Sequence, residues 1–330
     1  MTGEPAGAAT LEQLSADFAR HDQAALRDRL RIDGFLFFRG LIPAVDVWRV
    51  RSAVLCTLAG VGWLEPGSDP DAARPGPSAH HDRGRLDGRA VSDPGWAEGY
   101  RAIQSLESLH RLAHHDALLA VLGTVLGEPP VVHPRKIVRV TFPAAGLPTP
   151  PHQDAAFNKT TDVLTTWIPL GDCSRRLGGL RLLRGSTRRG ELPVRPGDGI
   201  GGEQVDVSAD DPNWVSCDYH AGDVVVFHGY SVHGAPPNLS DRLRLSADFR
   251  YQSTQEPVKL AALLPHGFGA GLLPAWSELT AGWRSTRWVE VPQRIRVATV
   301  SSAFRVPSAL LGTDTALPGG EQRAEDGLPS

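Results

Sequence analysis

Between residues 136 and 251 the chain is a series of short β-forming runs cut apart by turn residues, and few folds accommodate that pattern. Residues 136–142 alternate in polarity, 163–170 are β-branched and aromatic, and 179–183 are short and apolar. Residues 214–219, 223–227, 231–235 and 242–251 continue the series, with Gly, Pro, Asn and Asp between them. Strands this short leave backbone edges exposed unless the sheet closes or stacks on another, which points to a barrel or jelly roll.

The segment before residue 130 has a different texture. Leu11, Leu14 and Phe18, then Leu26 and Leu30, recur at helical spacing. Residues 34–40 form an apolar run bounded by glycines and predict a buried strand, followed by a helix over 45–58. A stretch rich in Pro, Gly, Asp and Arg over 67–88 predicts a loop that could act as a lid or be a plain insertion. Helical period returns over 100–126 and stops at Gly127 and Pro129-Pro130. The expected organisation is one domain over 1–308, mainly β with flanking helices. Within it, 1–130 is mostly helical and 131–308 holds the core and a C-terminal extension. Residues 309–330 are small, polar and Gly/Pro-containing, and predict a disordered tail.

Composition removes several function classes. A net charge of −3 gives no electrostatic reason to expect nucleic acid as a partner. Three widely spaced cysteines, Cys56, Cys173 and Cys217, contain no CxxC pair and support neither a disulfide framework nor a zinc ribbon. The start lacks a basic segment followed by an apolar run, and no apolar stretch reaches a membrane-spanning length. A cytoplasmic protein without a membrane partner is expected; oligomeric state is not readable.

The tripeptide His152-Gln153-Asp154 lies between two predicted strands. Residues i and i+2 of a strand share a face, so an imidazole and a carboxylate can approach one metal ion together. A second His from a distant strand would complete a two-His, one-carboxylate facial set with positions left open for other ligands. His80-His81-Asp82 and His114-His115-Asp116 repeat the spacing. The first sits in the irregular loop, and the second in a predicted helix, where i and i+2 diverge by roughly 200°. Both are read as solvated polar segments. His110 and His114 share a helix face without the glutamate of a zinc protease and are read as surface. For the distal ligand, the pattern alone leaves His228 and His233 open. After His233, a turn leads to a predicted strand on which Arg242, Arg244 and Ser246 share one face. A guanidinium entering a barrel there can grip a carboxylate.

These residues together resemble the phytanoyl-CoA dioxygenase (PhyH) family of iron(II)/2-oxoglutarate-dependent oxygenases. The likeness covers about residues 30–252. It runs through Asp33-Gly34-Phe35-Leu36, His152-Gln153-Asp154, the Trp167 run, Leu177-Gly178-Gly179-Leu180 through Gly185-Ser186, Gly222-Asp223 through Phe227, and His233 through Arg244. The resemblance implies a double-stranded β-helix (a cupin-like jelly roll) with helices packed outside. It implies Fe(II) on His152, Asp154 and His233, with 2-oxoglutarate and dioxygen as cosubstrates. Arg244, eleven residues after the distal His, would hold the far carboxylate of 2-oxoglutarate, with Ser246 assisting and Thr165 and Trp167 nearby. Related halogenases carry a small residue where this chain has Asp154, so the carboxylate implies hydroxylation or another oxidation. The implied substrate is a small molecule of natural-product biosynthesis, oxidised at an aliphatic C–H. A cluster of arginines (Arg175, Arg176, Arg181, Arg184, Arg188, Arg189) could hold an anion or be solvated surface. Two other readings stay open: a metal-dependent cupin enzyme without 2-oxoglutarate, and a non-catalytic ligand-binding jelly roll.

Overall fold

Asp22 opens the first helix, its carboxylate accepting the Ala25 N–H at 2.7 Å, and Gly34 closes it at φ +88° with its N–H donating to the Leu30 carbonyl. This helix, α1 (Gln23–Asp33), therefore ends directly at the strand β1 (Phe35–Phe38). The computed structural model describes residues 11, 22–76, 94–143, 147–155, 163–199, 202–267 and 274–298. The expected disordered tail over 309–330, the His80-His81-Asp82 segment, most of the 67–88 loop, and Leu14 and Phe18 lie outside the described residues. Within that loop, Gly76 N–H donates to the Trp63 carbonyl at 2.8 Å, and Leu64 forms a β-bridge with Pro75.

Helix α2 (Ala44–Gly60) buries Val47, Val50, Val54, Leu55 and Leu58 along one side. The helical period over 100–126 breaks into α3 (Pro94–Gln104), α4 (Glu107–Leu112) and α5 (Asp116–Leu126). His115 causes the second break by taking the cap position of α5, where its Nδ1 accepts the Ala117 N–H at 3.2 Å. His114 and His115 thus occupy a turn, not a helix interior. His110 also departs from expectation: it is fully buried, tilted against the Trp283 ring at 4.7 Å between centroids, with Nε2 donating to the Gln104 carbonyl at 3.0 Å.

The remaining chain builds two antiparallel sheets. Strands β2 (Val131–Val132), β3 (Ile137–Thr141), β4 (Thr149–His152), β5 (Leu164–Pro169), β6 (Arg181–Leu183), β7 (Val194–Pro196) and β8 (Glu203–Val205) come first. They are followed by β9 (Trp214–Val215), β10 (Val224–His228), β11 (His233–Ala235) and β12 (Arg244–Gln252). A six-stranded sheet runs β1-β10-β5-β12-β2, with β3 also paired to β12; a four-stranded sheet runs β4-β11-β6-β9. Strands β7 and β8 form a hairpin, and the C-terminal part adds β13 (Val258–Lys259), α6 (Leu260–Leu263), α7 (Trp276–Leu279) and β14 (Val297–Ala298).

Alternation along the large sheet divides the core. Val224, Val226, Ile168, Ala247, Phe249 and Tyr251 face the helices, joining the side chains of α2 and α5 in one apolar cluster. Phe35, Phe37, Val225, Phe227 and Trp167 face the other way and meet Leu180, Leu182 and Val215 of the small sheet. Two stacked antiparallel sheets with helices on one outer face form the expected jelly roll. Most strands are a residue or two shorter than expected, and two differences matter for the site's surroundings. Only Trp214–Val215 of 214–219 pairs as a strand, and β12 starts at Arg244. The Asn238 side-chain amide donates to the carbonyls of Thr141 (3.1 Å) and Arg242 (2.8 Å), holding a turn that keeps Arg242 out of the ladder and in solvent.

Candidate metal centre

His233 lies directly opposite His152 in the β4–β11 ladder, and on its other side pairs with Leu182 of β6. Cross-strand neighbours of this kind bring side chains on one face within contact, and the two imidazole centroids are 4.1 Å apart. Asp154 follows just beyond the end of β4. Gln153 points the opposite way: its amide donates to the carbonyls of Gly190 (2.9 Å) and Tyr230 (2.8 Å) and accepts the Leu192 N–H at 2.8 Å. That three-bond lock pins the segment so that residues 152 and 154 share the interior. One potential ligand atom from each of His152, Asp154 and His233 lies within 4.8 Å of the others, and all three residues are buried.

Both imidazoles are prepared as ligands. His152 Nδ1 sits 2.8 Å from the Pro150 carbonyl and His233 Nδ1 sits 3.0 Å from the Ser231 carbonyl. A carbonyl only accepts, so each Nδ1 carries the proton and each Nε2 presents its lone pair. Burial, with the neighbouring His233 adding to it, pulls His152 down to about 3, and burial likewise lowers His233. Burial would raise the Asp154 carboxyl, but the Arg250 charge, the imidazoles and the Thr165 hydrogen bond outweigh it and hold the group well below the usual range. Thr165 Oγ1 donates to one Asp154 oxygen at 2.6 Å, and Arg250 donates to the other at 2.9 Å. Two neutral nitrogens and one anionic oxygen on one face suit a divalent transition metal such as iron(II).

Arg244 enters the same cavity from β12 and is 3% exposed. Its guanidinium donates to the Gly178 carbonyl, which is turned toward it by the left-handed φ of +76° at that glycine. Arg244 Nε and Ser246 Oγ are buried without a hydrogen-bond partner among the described residues. Orphaned donors on one interior face are what a bound carboxylate would satisfy. Trp167 lines the cavity and packs 4.7 Å from the Tyr219 ring. The structure puts Thr165 on Asp154, a more specific contact than the inward parity expected of it.

The other histidines are elsewhere. His228 ends β10 with Nδ1 accepting the Tyr230 N–H at 3.1 Å, and His220 is exposed near Asp172. His114 Nε2 reaches the Trp288 carbonyl at 3.1 Å. Of the arginine cluster, Arg184 pairs with Asp33 at 2.7 Å and Arg181 lies over the Trp214 ring. Sequence reasoning missed Arg250, Asp248 and Arg139. The signal was present: from Arg244 to Gln252 every second residue is polar, although all nine are buried.

The family model of phytanoyl-CoA dioxygenase (PhyH) matches residues 6–246. The chain belongs to this family. As a PhyH protein it is an iron- and 2-oxoglutarate-dependent oxygenase, and its donor set and buried Arg244 fit both groups. It is 29% identical over 201 residues to a 1-deoxypentalenic acid 11-beta-hydroxylase of Streptomyces exfoliatus, covering 53% of this chain and 71% of that protein. A second 1-deoxypentalenic acid 11-beta-hydroxylase, from Streptomyces arenae, is 28% identical, covering 70% of this chain and 82% of the relative. A solved structure of the epimerase SnoN in complex with Fe3+, alpha ketoglutarate and nogalamycin RO is 24% identical, with a TM-score of 0.48, over 70% of this chain and 84% of that one. Among the described residues, no helix is long and apolar enough to cross a membrane.

Proposed function

We propose that this PhyH oxygenase hydroxylates an aliphatic C–H of a small molecule in natural-product biosynthesis, with His152, Asp154 and His233 as the iron ligands and Arg244 as the anchor of 2-oxoglutarate. The observation that carries the residue assignment is the conjunction of a buried His-Asp-His set with an inward, incompletely partnered guanidinium in one cavity. When bound, iron(II) with 2-oxoglutarate and dioxygen supplies the oxidising power that C–H chemistry needs.

The protein's own contributions follow from its geometry. The Pro150 and Ser231 carbonyls fix the imidazole tautomers, so neither ring has to turn or shed a proton to bind metal. Thr165 and Arg250 each occupy one Asp154 oxygen, which holds the carboxylate ionised and oriented as a group that would ligate iron. Arg244 and Ser246 orient the cosubstrate, and Trp167 and Phe227 wall the cavity with apolar rings that exclude water. A cupin enzyme working without 2-oxoglutarate, or a passive ligand-binding jelly roll, would have no use for a buried Arg244. The two Streptomyces relatives are named as hydroxylases of 1-deoxypentalenic acid, which supports the substrate class. A cytoplasmic setting, where thiols stay reduced, fits the free Cys56, Cys173 and Cys217.

The test is anaerobic addition of Fe(II) and 2-oxoglutarate to metal-free protein, watching for the weak visible charge-transfer band. Wild type is expected to show it, and Arg244→Ala to need far more 2-oxoglutarate to develop it. Absence of the band in wild type, or an Arg244→Ala titration matching wild type, defeats the reading.

A further inference from the structure

Strand β3 sends Val138 and Val140 into the helix-facing cluster, so Ile137, Arg139 and Thr141 face the interior. Helices cover one side of that strand, yet a quarter of the Arg139 side chain (25%) remains accessible. Arg139 lines the cavity that also holds His152, His233 and Arg244. Arg139 Nε donates to Asp248 at 2.5 Å, and its two terminal nitrogens have no hydrogen-bond partner among the described residues. The second Asp248 oxygen is buried and unpartnered, so the pair is a single contact, not a closed fork. Asp248 thus orients the guanidinium and leaves its outer edge presented to the cavity.

Charge counting points the same way. Among the described residues on this interior face, Arg139, Arg244 and Arg250 oppose Asp154 and Asp248. Iron(II) and dianionic 2-oxoglutarate cancel each other, leaving one positive charge in a poorly hydrated space. An uncompensated buried charge is costly, and an anion beside it removes the cost. Arg244 already serves the cosubstrate, and Arg250 is committed to Asp154. Arg139 is the one of the three whose two terminal nitrogens are both without a hydrogen-bond partner among the described residues.

We infer that the primary substrate carries a carboxylate and that Arg139, oriented by Asp248, binds it at the cavity and so sets which part of the substrate reaches the metal. This rests on the function proposed above and adds to it the chemical class of the substrate's polar end.

The experiment uses anaerobic enzyme loaded with Fe(II) and saturating 2-oxoglutarate. Hexanoate, cyclohexanecarboxylate and decanoate are titrated calorimetrically, each beside the primary alcohol of the same skeleton. For at least one pair the acid is expected to bind about tenfold or more tighter, the worth of one charge-assisted hydrogen bond. The paired replacement Arg139→Gln with Asp248→Asn, which avoids stranding a lone buried charge, is expected to erase that preference. Arg139→Lys, which keeps the charge but loses the fork, is expected to retain part of it. The 2-oxoglutarate Kd should stay within about twofold in both variants, because Arg244 is intact. Equal binding of acids and alcohols, or no binding by any acid while the charge-transfer band is intact, overturns the inference. So does a paired variant that weakens 2-oxoglutarate as Arg244→Ala does, since Arg139 would then serve the cosubstrate. Loss of the wild-type band would instead strike the underlying function.

Discussion

The two faces of β12 share one backbone ladder and do opposite work. Leu245, Ala247, Phe249 and Tyr251 meet helices and are almost wholly buried in apolar contact. Arg244, Ser246, Asp248 and Arg250 are as buried, yet Arg244 Nε, Ser246 Oγ, Asp248 Oδ1 and Arg250 Nε lack partners among the described residues. Each such orphan costs about 1–3 kcal/mol. One face therefore supplies stability and the other spends it on polar groups that the fold leaves unmatched, which is the usual division between scaffold and site.

Variants on the two faces should break along that line. Asp154→Ala should have the largest effect. It removes iron binding in an anaerobic Fe(II) titration and, by leaving Arg250 buried beside no carboxylate, costs about 3–5 kcal/mol in denaturant unfolding. Phe249→Ala, on the helix-facing side, should cost about 3–5 kcal/mol through the cavity it opens. Its folded fraction should bind Fe(II) as wild type does; a large change in metal affinity would mean that the two faces are coupled.

Lys136 sharpens the contrast, because it shares the outward parity of Val138 and Val140, and its buried amine donates to the His133 carbonyl. Burial pulls it from 10.5 to about 7. The unfolded chain binds that proton more tightly between those values, so the cost of burying the amine shrinks as pH rises through the window. Stability should climb by about 2 kcal/mol between about pH 7 and 9, a slope that Lys136→Met removes in pH-dependent melts. The smallest effect belongs to Arg250→Lys. It keeps a charge near Asp154 but loses the planar donor, and should weaken Fe(II) binding about tenfold with little change in melting temperature.

Much of this arrangement was legible from local pattern. Period-two polarity marked the strands, and it suggested the shared side of His152 and Asp154, although β4 ends at His152 and the Gln153 hydrogen bonds are what hold Asp154 there. The helical period over 100–126 concealed two breaks, since His115 caps α5 with a ring nitrogen that no propensity scale anticipates. His110 read as surface because a polar residue on a helix is normally solvated; here Trp276 and Trp283 from the C-terminal part cover it. Arg250 escaped notice because its value lies entirely in reaching Asp154, 96 residues earlier.

The amino-acid sequence by itself determined the class of fold, the His-x-Asp pair and the spacing from His233 to Arg244, since these depend on side-chain period and composition along one strand. Residue pattern by itself left His228 and His233 open, the family likeness favoured His233, and the tertiary structure sets the two apart. Both sit in the same short segment, but only His233 pairs across from His152, while His228 ends a strand of the other sheet. It also decided which oxygens Thr165 and Arg250 occupy and where Arg139 points. Convergence of side chains from β3, β4, β5, β11 and β12 is a property of how sheets stack, and no local stretch of chain carries it.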